Sequence, residues 1–522
     1  MVEIGSGRLR GTEERYRAHR LHVFRGIPYA RSATGVLRFS SPRPARPWAG
    51  VRDASVFSPA FLQPGAPDST EDALCANVWT PGLDGRRPVL VYVHGGGWQV
   101  GAGSVPTFDG AKPAAVGDLV VINFNYRLGA FGWGLHEELT DPETGLKANW
   151  GLQDQAALLR WVRDNAESFG GAPDNITLCG TSAGAVTARL LAGGEGTRDI
   201  VRRLIAISAS RPWEPALSLT PQDAQEAYDR IAASLGTTVP GLRAVPQEAL
   251  QQAWLRLFEG SPSRRPLASG REYRGPVLDP DTGVGPHPVL PSVPVMSIHN
   301  RTEGSFFTDP YSTSLPPAPP APRTEAELLA AVREVMLKCS AEVADDLPGR
   351  CLLAYRQAAT DEGRPTDPLT LWTEIWGDAV FRYDIMRLAD RHARDGVSPQ
   401  YVMEFAHPVR APHFGTPHDA TSKFLFGSHR HPNFVAQFGD GPVERRVSDA
   451  FIDLVSSFVH GDTPQSRRTP DWPEYRADEQ SALLLGGPGV ARVGTPSKLR
   501  QLAFWDEVAW MRAPAPAPAA RP

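Results

Sequence analysis

Ser182 stands in Gly180-Thr181-Ser182-Ala183-Gly184, a G-x-S-x-G pattern between the apolar run Ile176-Thr177-Leu178-Cys179 and an Ala-rich helical stretch, Ala185 to Leu191. Strand, tight turn and helix in that order make a nucleophile elbow, in which small residues let the chain turn sharply and hold the serine out at the top of a sheet. The first amides of the helix then point to where an oxyanion forms. A serine hydroxyl is a poor nucleophile at neutral pH, so the chemistry of acyl transfer also calls for a base, an orienting acid and further oxyanion donors. The donors have a candidate in His94-Gly95-Gly96-Gly97-Trp98, directly after a strand ending at Val93, where glycines let main-chain N–H groups reach a substrate unobstructed. The acid must be drawn from 58 aspartates and glutamates, because a lone carboxylate in a loop reads first as a solvated charge. The base must be drawn from thirteen histidines.

The elements that must hold these residues are legible as short apolar runs alternating with helical patterns from about Leu21 to Ile205. Val89–Val93 and Leu119–Asn123 are rich in β-branched residues and read as buried strands. Asn149 to Phe169 reads as a helix, and Ile176 to Leu178 as the strand before the elbow. This βαβ rhythm predicts an α/β fold with a mostly parallel central sheet flanked by helices. Residues 220–374 read as helical insertions, with Thr324 and Glu327 spaced as a capping box for a helix from Glu325 to Leu337. Tyr401–Phe405 reads as a late strand and Ser448–Phe458 as a C-terminal helix. The organisation expected is a lead-in over residues 1–20, one domain over 21–512 and a disordered Ala/Pro tail over 513–522, with a Pro-rich surface connection at 315–322.

Composition narrows the function classes. A chain of 522 residues with 41% hydrophobic and 21% charged residues is ordinary globular material, and a net charge of −4 argues against nucleic acid or an anionic membrane as partner. No apolar segment resembles a signal peptide or a membrane span, and the scattered Cys75, Cys179, Cys339 and Cys351 lack metal-ligand spacing. Reduced thiols and a cytoplasmic location are expected, with a Cys339–Cys351 disulfide left open.

With these residues in view, the chain resembles the type-B carboxylesterases, the family of para-nitrobenzyl esterases and cholinesterases. The resemblance runs from about residue 20 to 510 and rests on ordered blocks: Phe24-Arg25-Gly26-Ile27-Pro28-Tyr29-Ala30, Glu71-Asp72 with Asn77-Val78-Trp79-Thr80-Pro81, Asn125-Tyr126-Arg127-Leu128-Gly129-Ala130-Phe131-Gly132, Asn149–Gln155, and Phe169-Gly170-Gly171 through Ala185. It implies an α/β-hydrolase fold and hydrolysis of a small-molecule ester without metal or cofactor. It implies oxyanion donors at the N–H groups of Gly96, Gly97 and Ala183, and the acid at Glu303, whose Asn300–Phe307 segment is similar to the family's N-R-D-E-G segment. It implies the base at His418, nine residues before Gly427, with His413 as runner-up and His429 and His431 as surface residues. Arg38 with Glu71 and Arg127 with Asp154 resemble the family's structural charge pairs, and Ser210 its second serine near the site.

Departures from the family pattern carry expectations of their own. Thr181 stands where the family usually has Glu, which implies no preference for cationic choline-type esters. The usual Glu and Pro after the base are Thr421 and Lys423, and Ala73 replaces a disulfide cysteine, as in an intracellular, bacterial-type member. Trp98, Thr181 and Ser210 are candidate pocket residues, and Trp133, Trp372 and Trp376 join Trp98 as candidate aromatic walls. The same catalytic set serves acyl transfer or cyclisation, and amide or carbamate hydrolysis, while a non-catalytic adhesion or scaffold role fits poorly with the complete set.

Overall fold

The computed structural model describes residues 1–209, 220–257, 275–285, 290–308, 321–337, 343–395 and 398–506. Ser210, Cys339, residues 315–320 of the Pro-rich connection and the 513–522 tail lie outside the described residues. The strands are β1 (Val2–Ile4), β2 (Gly7–Arg10), β3 (Thr12–Tyr16), β4 (His19–Pro28), β5 (Val51–Asp53), β6 (Cys75–Thr80), β7 (Arg87–Val93), β8 (Val120–Phe124), β9 (Gly171–Thr181), β10 (Val201–Ile207), β11 (Val295–Asn300), β12 (Gln400–Phe405), β13 (Ala482–Leu485) and β14 (Ala491–Gly494). Among the described residues, eleven of them form one sheet in the order β14-β13-β12-β11-β10-β9-β7-β8-β6-β4-β3, and β1, β2 and β5 form a small second sheet. From β13 to β8 every neighbour is parallel, and the antiparallel pairings lie at the two ends.

The parallel strands are apolar on both faces because both faces are covered. In β7, Val89, Val91 and Val93 enter one core layer, while Leu90 and Tyr92 enter the other, the two-residue period of a strand. The helices Trp150–Asn165 and Ala183–Gly193 fill the first layer, and Ala420–Phe426 with Pro442–Gly461 the second. Of the expected helical insertions, Pro221–Ser234 and Gln247–Leu255 pack on the first layer, whereas Glu325–Leu337, Leu347–Asp361 and Pro368–Gly377 build a third apolar cluster. The capping box forms: the Thr324 N–H donates to Glu327 Oε2 at 3.1 Å and the Glu327 N–H to Thr324 Oγ1 at 3.2 Å.

Residues 1–20, read from sequence as a lead-in, carry β1 to β3 and the start of β4, and β3 pairs with β4 from Thr12↔Val23 to Tyr16↔His19. Along β3 burial alternates between half-buried and exposed, so this edge strand of polar residues offers no apolar run to read. No helix among the described residues is long and apolar enough to cross a membrane.

β7 has β8 on one side and β9 on the other, although β8 precedes β9 in the chain. At such a switch point the connections leave in opposite directions and open a crevice beyond the carboxyl ends of the strands. The loop after β7 carries His94–Trp98, and β9 ends at Thr181, one residue before Ser182.

Candidate active site

Ser182 is the N-cap of the helix Ala183–Gly193, with φ 57° and ψ −127°. Its N–H donates to the Ile207 carbonyl at 2.8 Å, which ties the turn to the end of β10. Gly184 explains why the turn tolerates only small residues: a Cβ there would lie 2.3 Å from the Val93 carbonyl oxygen and 2.6 Å from that of His94. The elbow thus presses backbone to backbone on the end of β7.

The loop after β7 takes an unusual path. Gly96 has φ +111°, and Gly97 and Trp98 have φ of 61° and 63°. A Cβ on Gly96 would fall 2.0 Å from the Val100 carbonyl oxygen, so only glycine fits. The N–H groups of Gly96, Gly97 and Ala183 donate no backbone hydrogen bond among the described residues. His94 braces this loop. Its ring stacks on Tyr126 at 4.4 Å, its Nδ1 meets the Gly95 carbonyl at 2.9 Å, and Tyr126 Oη donates to its carbonyl at 2.8 Å. Burial pushes the His94 imidazole down to about 4, so it stays neutral and structural.

Glu303 lies just beyond the end of β11 and is 1% exposed. Its Oε2 meets His418 Nδ1 at 2.7 Å, and its Oε1 accepts from the Asn300 N–H at 2.6 Å and Ser208 Oγ at 2.7 Å. Asn300 Nδ2 also donates to Ser208 Oγ at 3.0 Å and to the His418 carbonyl at 3.1 Å, so one amide holds both the Glu303 segment and the His418 loop. A carboxylate held on Nδ1 fixes the imidazole tautomer with its lone pair on Nε2. Among the described residues, His418 Nε2 is buried without a hydrogen-bond partner.

Aromatic rings wall His418: Phe381 at 4.2 Å, Phe307 at 5.3 Å and Phe306 at 6.0 Å between centroids. Trp376 is half-buried against Phe307 at 4.4 Å and Phe381 at 5.7 Å. Of the tryptophans expected as walls, Trp372 is instead sealed in the third apolar cluster and Trp133 in the first, 6.0 Å from Trp98. Trp98, at the end of the loop after β7, is buried, with Gly275 so close that a Cβ there would meet its ring at 2.8 Å.

Thr181 is buried, and its hydroxyl is bonded to Tyr92 Oη at 2.9 Å and Ser422 Oγ at 3.0 Å, both in the second core layer. His418, not His413, faces Glu303. His429 corrects a surface expectation: it is 1% exposed and stacks on Phe424 at 4.6 Å and 6°, because the chain reverses at Gly427, with φ 71°, and the short 3-10 turn Ser428–Arg430 folds back on the helix Ala420–Phe426. Lys423, in place of the usual Pro, bonds Asp419 and lies 4.8 Å over Phe434 and 4.9 Å over Phe438. Both expected charge pairs form, Arg38–Glu71 at 2.5 Å and Arg127–Asp154 at 2.7 Å, and Cys75, Cys179 and Cys351 are free thiols. Ser208, Asn300 and the three phenylalanines were not singled out from sequence. The available signal for Ser208 and Asn300 was position, since both stand at the carboxyl ends of parallel strands.

The family model described as carboxylesterase family matches residues 1–505. The chain is similar to phenmedipham hydrolase of Pseudarthrobacter oxydans, 32% identical over 90% of this chain and 92% of that protein. It is also similar to para-nitrobenzyl esterase of Bacillus subtilis (strain 168), 29% identical over 97% of this chain and 98% of that protein. A solved structure of PNB esterase superposes with a TM-score of 0.76 at 26% identity, covering 96% of this chain and 99% of that one.

Proposed function

From the premise that this chain belongs to the carboxylesterase family and is a serine hydrolase of ester bonds, we propose that Ser182, His418 and Glu303 carry the reaction. The observation that supports the assignment most is the 2.7 Å contact between His418 Nδ1 and Glu303 at the carboxyl end of the sheet that also bears the strained Ser182 turn. Ser182 Oγ attacks the ester carbonyl as His418 Nε2 takes its proton. The oxyanion that forms is received by the N–H groups of Gly96, Gly97 and Ala183. The imidazolium, stabilised by Glu303, then protonates the leaving alcohol, and the acyl group stays on Ser182. A water molecule, deprotonated in turn by His418, releases the acid and restores the hydroxyl.

The substrate is a small neutral ester. Support comes from the aromatic side chains of Phe306, Phe307, Trp376 and Phe381 beside the base, and from the para-nitrobenzyl esterase likeness. The test is hydrolysis of para-nitrophenyl esters from acetate to decanoate by the wild type and Ser182→Ala. The expected result is turnover lost in the variant, with the chain-length optimum sizing the acyl pocket. Wild-type turnover by Ser182→Ala overturns the assignment.

A further inference from the structure

Directly beneath the site, three hydroxyls from three separate elements meet. Tyr92 lies on β7, two residues before His94 at the head of the oxyanion loop. Thr181 is the last residue of β9, next to Ser182. Ser422 lies on the helix Ala420–Phe426, four residues after His418. Tyr92 Oη donates to Thr181 Oγ1 at 2.9 Å, Thr181 Oγ1 and Ser422 Oγ lie 3.0 Å apart, and Ser422 Oγ and Tyr92 Oη 3.1 Å apart. Each hydroxyl has one proton and spare lone pairs, so a ring of three satisfies every donor without a charge or a water. All three residues are buried, and burial holds the Tyr92 phenol well above its ordinary pKa, so the ring stays protonated and neutral. The Tyr92 ring is itself fixed between Phe108 at 4.9 Å and Phe426 at 4.8 Å.

We propose that Tyr92, Thr181 and Ser422 form a positioning cluster that fixes the strand of the oxyanion loop, the nucleophile and the base relative to one another. The three carriers share no covalent proximity: β7, β9 and the helix Ala420–Phe426 are brought together only by the fold. Buried hydrogen bonds are directional where apolar packing is not, so they set the register in which Ser182 and His418 approach. None of the three touches the reacting atoms, and all act through their neighbours in sequence. The proposal rests on the roles assigned to Ser182 and His418 above.

The test compares Thr181→Val, which keeps shape and loses the hydroxyl, with Thr181→Ser, which keeps the hydroxyl. Ser422→Ala and the Thr181→Val/Ser422→Ala double variant complete the set. The readouts are kcat and KM on para-nitrophenyl butyrate and the rate of covalent labelling of Ser182 by a fluorophosphonate probe. Misplacement of reacting groups lowers kcat and leaves binding alone, so kcat and labelling are expected to fall about ten-fold in Thr181→Val and in Ser422→Ala with KM within about two-fold. Thr181→Ser is expected to recover at least about half of kcat, and the double variant to be no slower than the slower single one, because the cluster acts as a unit. Thr181→Val at wild-type kcat, or losses that multiply in the double variant, overturn the cluster. Should Thr181→Val not fold, Ser422→Ala against Ser422→Thr asks the same question. Ester turnover or labelling that survives Ser182→Ala defeats the underlying catalytic reading instead, and is distinguishable for that reason.

Discussion

A serine at φ 57° and ψ −127° occupies backbone space that L-residues avoid, at a cost on the order of 1–3 kcal/mol. The strain is held by the Ile207 carbonyl on the Ser182 N–H and by the Ala185 and Val186 N–H groups on its carbonyl, at 2.9 and 3.1 Å. The neighbouring Thr181 decides the electrostatics. No carboxylate stands next to the nucleophile; its place is taken by a hydroxyl whose partners are two further hydroxyls. An imidazolium at His418 therefore has Glu303 as its directly bonded anion, and a cationic alcohol gains nothing from residue 181. A choline ester and its neutral carbon isostere, assayed side by side, are expected to show kcat/KM within about three-fold of each other; a clear choline preference contradicts this account. Sequence made Ser182 legible because a strand end and small residues mark it, and Glu303 through the resemblance of Asn300–Phe307 to a family segment. Ser208 was missed because a single hydroxyl in Ser208-Ala209-Ser210 has no local signature, and its role arises only when β10 and β11 lie side by side at Ser208 and Asn300.

At the level of elements, the site is assembled by segments pinned with buried charge pairs. Arg127, after β8, is 1% exposed and donates from Nε and a terminal nitrogen to Asp154 on the helix Trp150–Asn165, at 2.8 and 2.7 Å. The same guanidinium reaches the carbonyls of Ser40 at 2.8 Å and Trp150 at 3.3 Å, so one side chain joins three segments. Removing Asp154 leaves a buried cation without its anion, which costs about 3–5 kcal/mol. Asp154→Ala is expected to lower the free energy of unfolding in urea by that amount, read as an earlier midpoint at unchanged slope; a loss below about 1 kcal/mol contradicts the structural role. The strands of the parallel core were legible because burial on both faces writes unbroken apolar runs rich in β-branched residues, as in Val89–Val93. The polar strand β3 and the five-residue turn Asp378–Arg382 that presents Phe381 to His418 were not, since neither has an apolar periodicity of its own.

Over the whole molecule, the parallel sheet brings together residues from 94 to 418 at the carboxyl ends of its strands, and burial traps histidines throughout the core. His94, His299, His392 and His429 are each pushed down to about 4, by burial first and, in the last three, by Arg382, Arg189 and Lys112 respectively. In the unfolded chain each titrates near 6.5. Between about 6.5 and 4 the unfolded state therefore binds more protons than the folded state, and stability falls as pH falls. Each such histidine steepens that fall by up to ~1.4 kcal/mol per pH unit, a large fraction of the 5–15 kcal/mol typical of a folded protein when four act together. Thermal melts at constant ionic strength are expected to show a Tm that drops steeply from pH 6.5 to 5, well above the range in which ordinary carboxylates titrate. His429→Phe keeps a flat ring against Phe424 and removes one of the four titrations, so its Tm should fall less steeply over the same interval. A wild-type Tm that moves by less than about 3 °C between pH 6.5 and 5 would mean that these imidazoles meet water before the fold gives way.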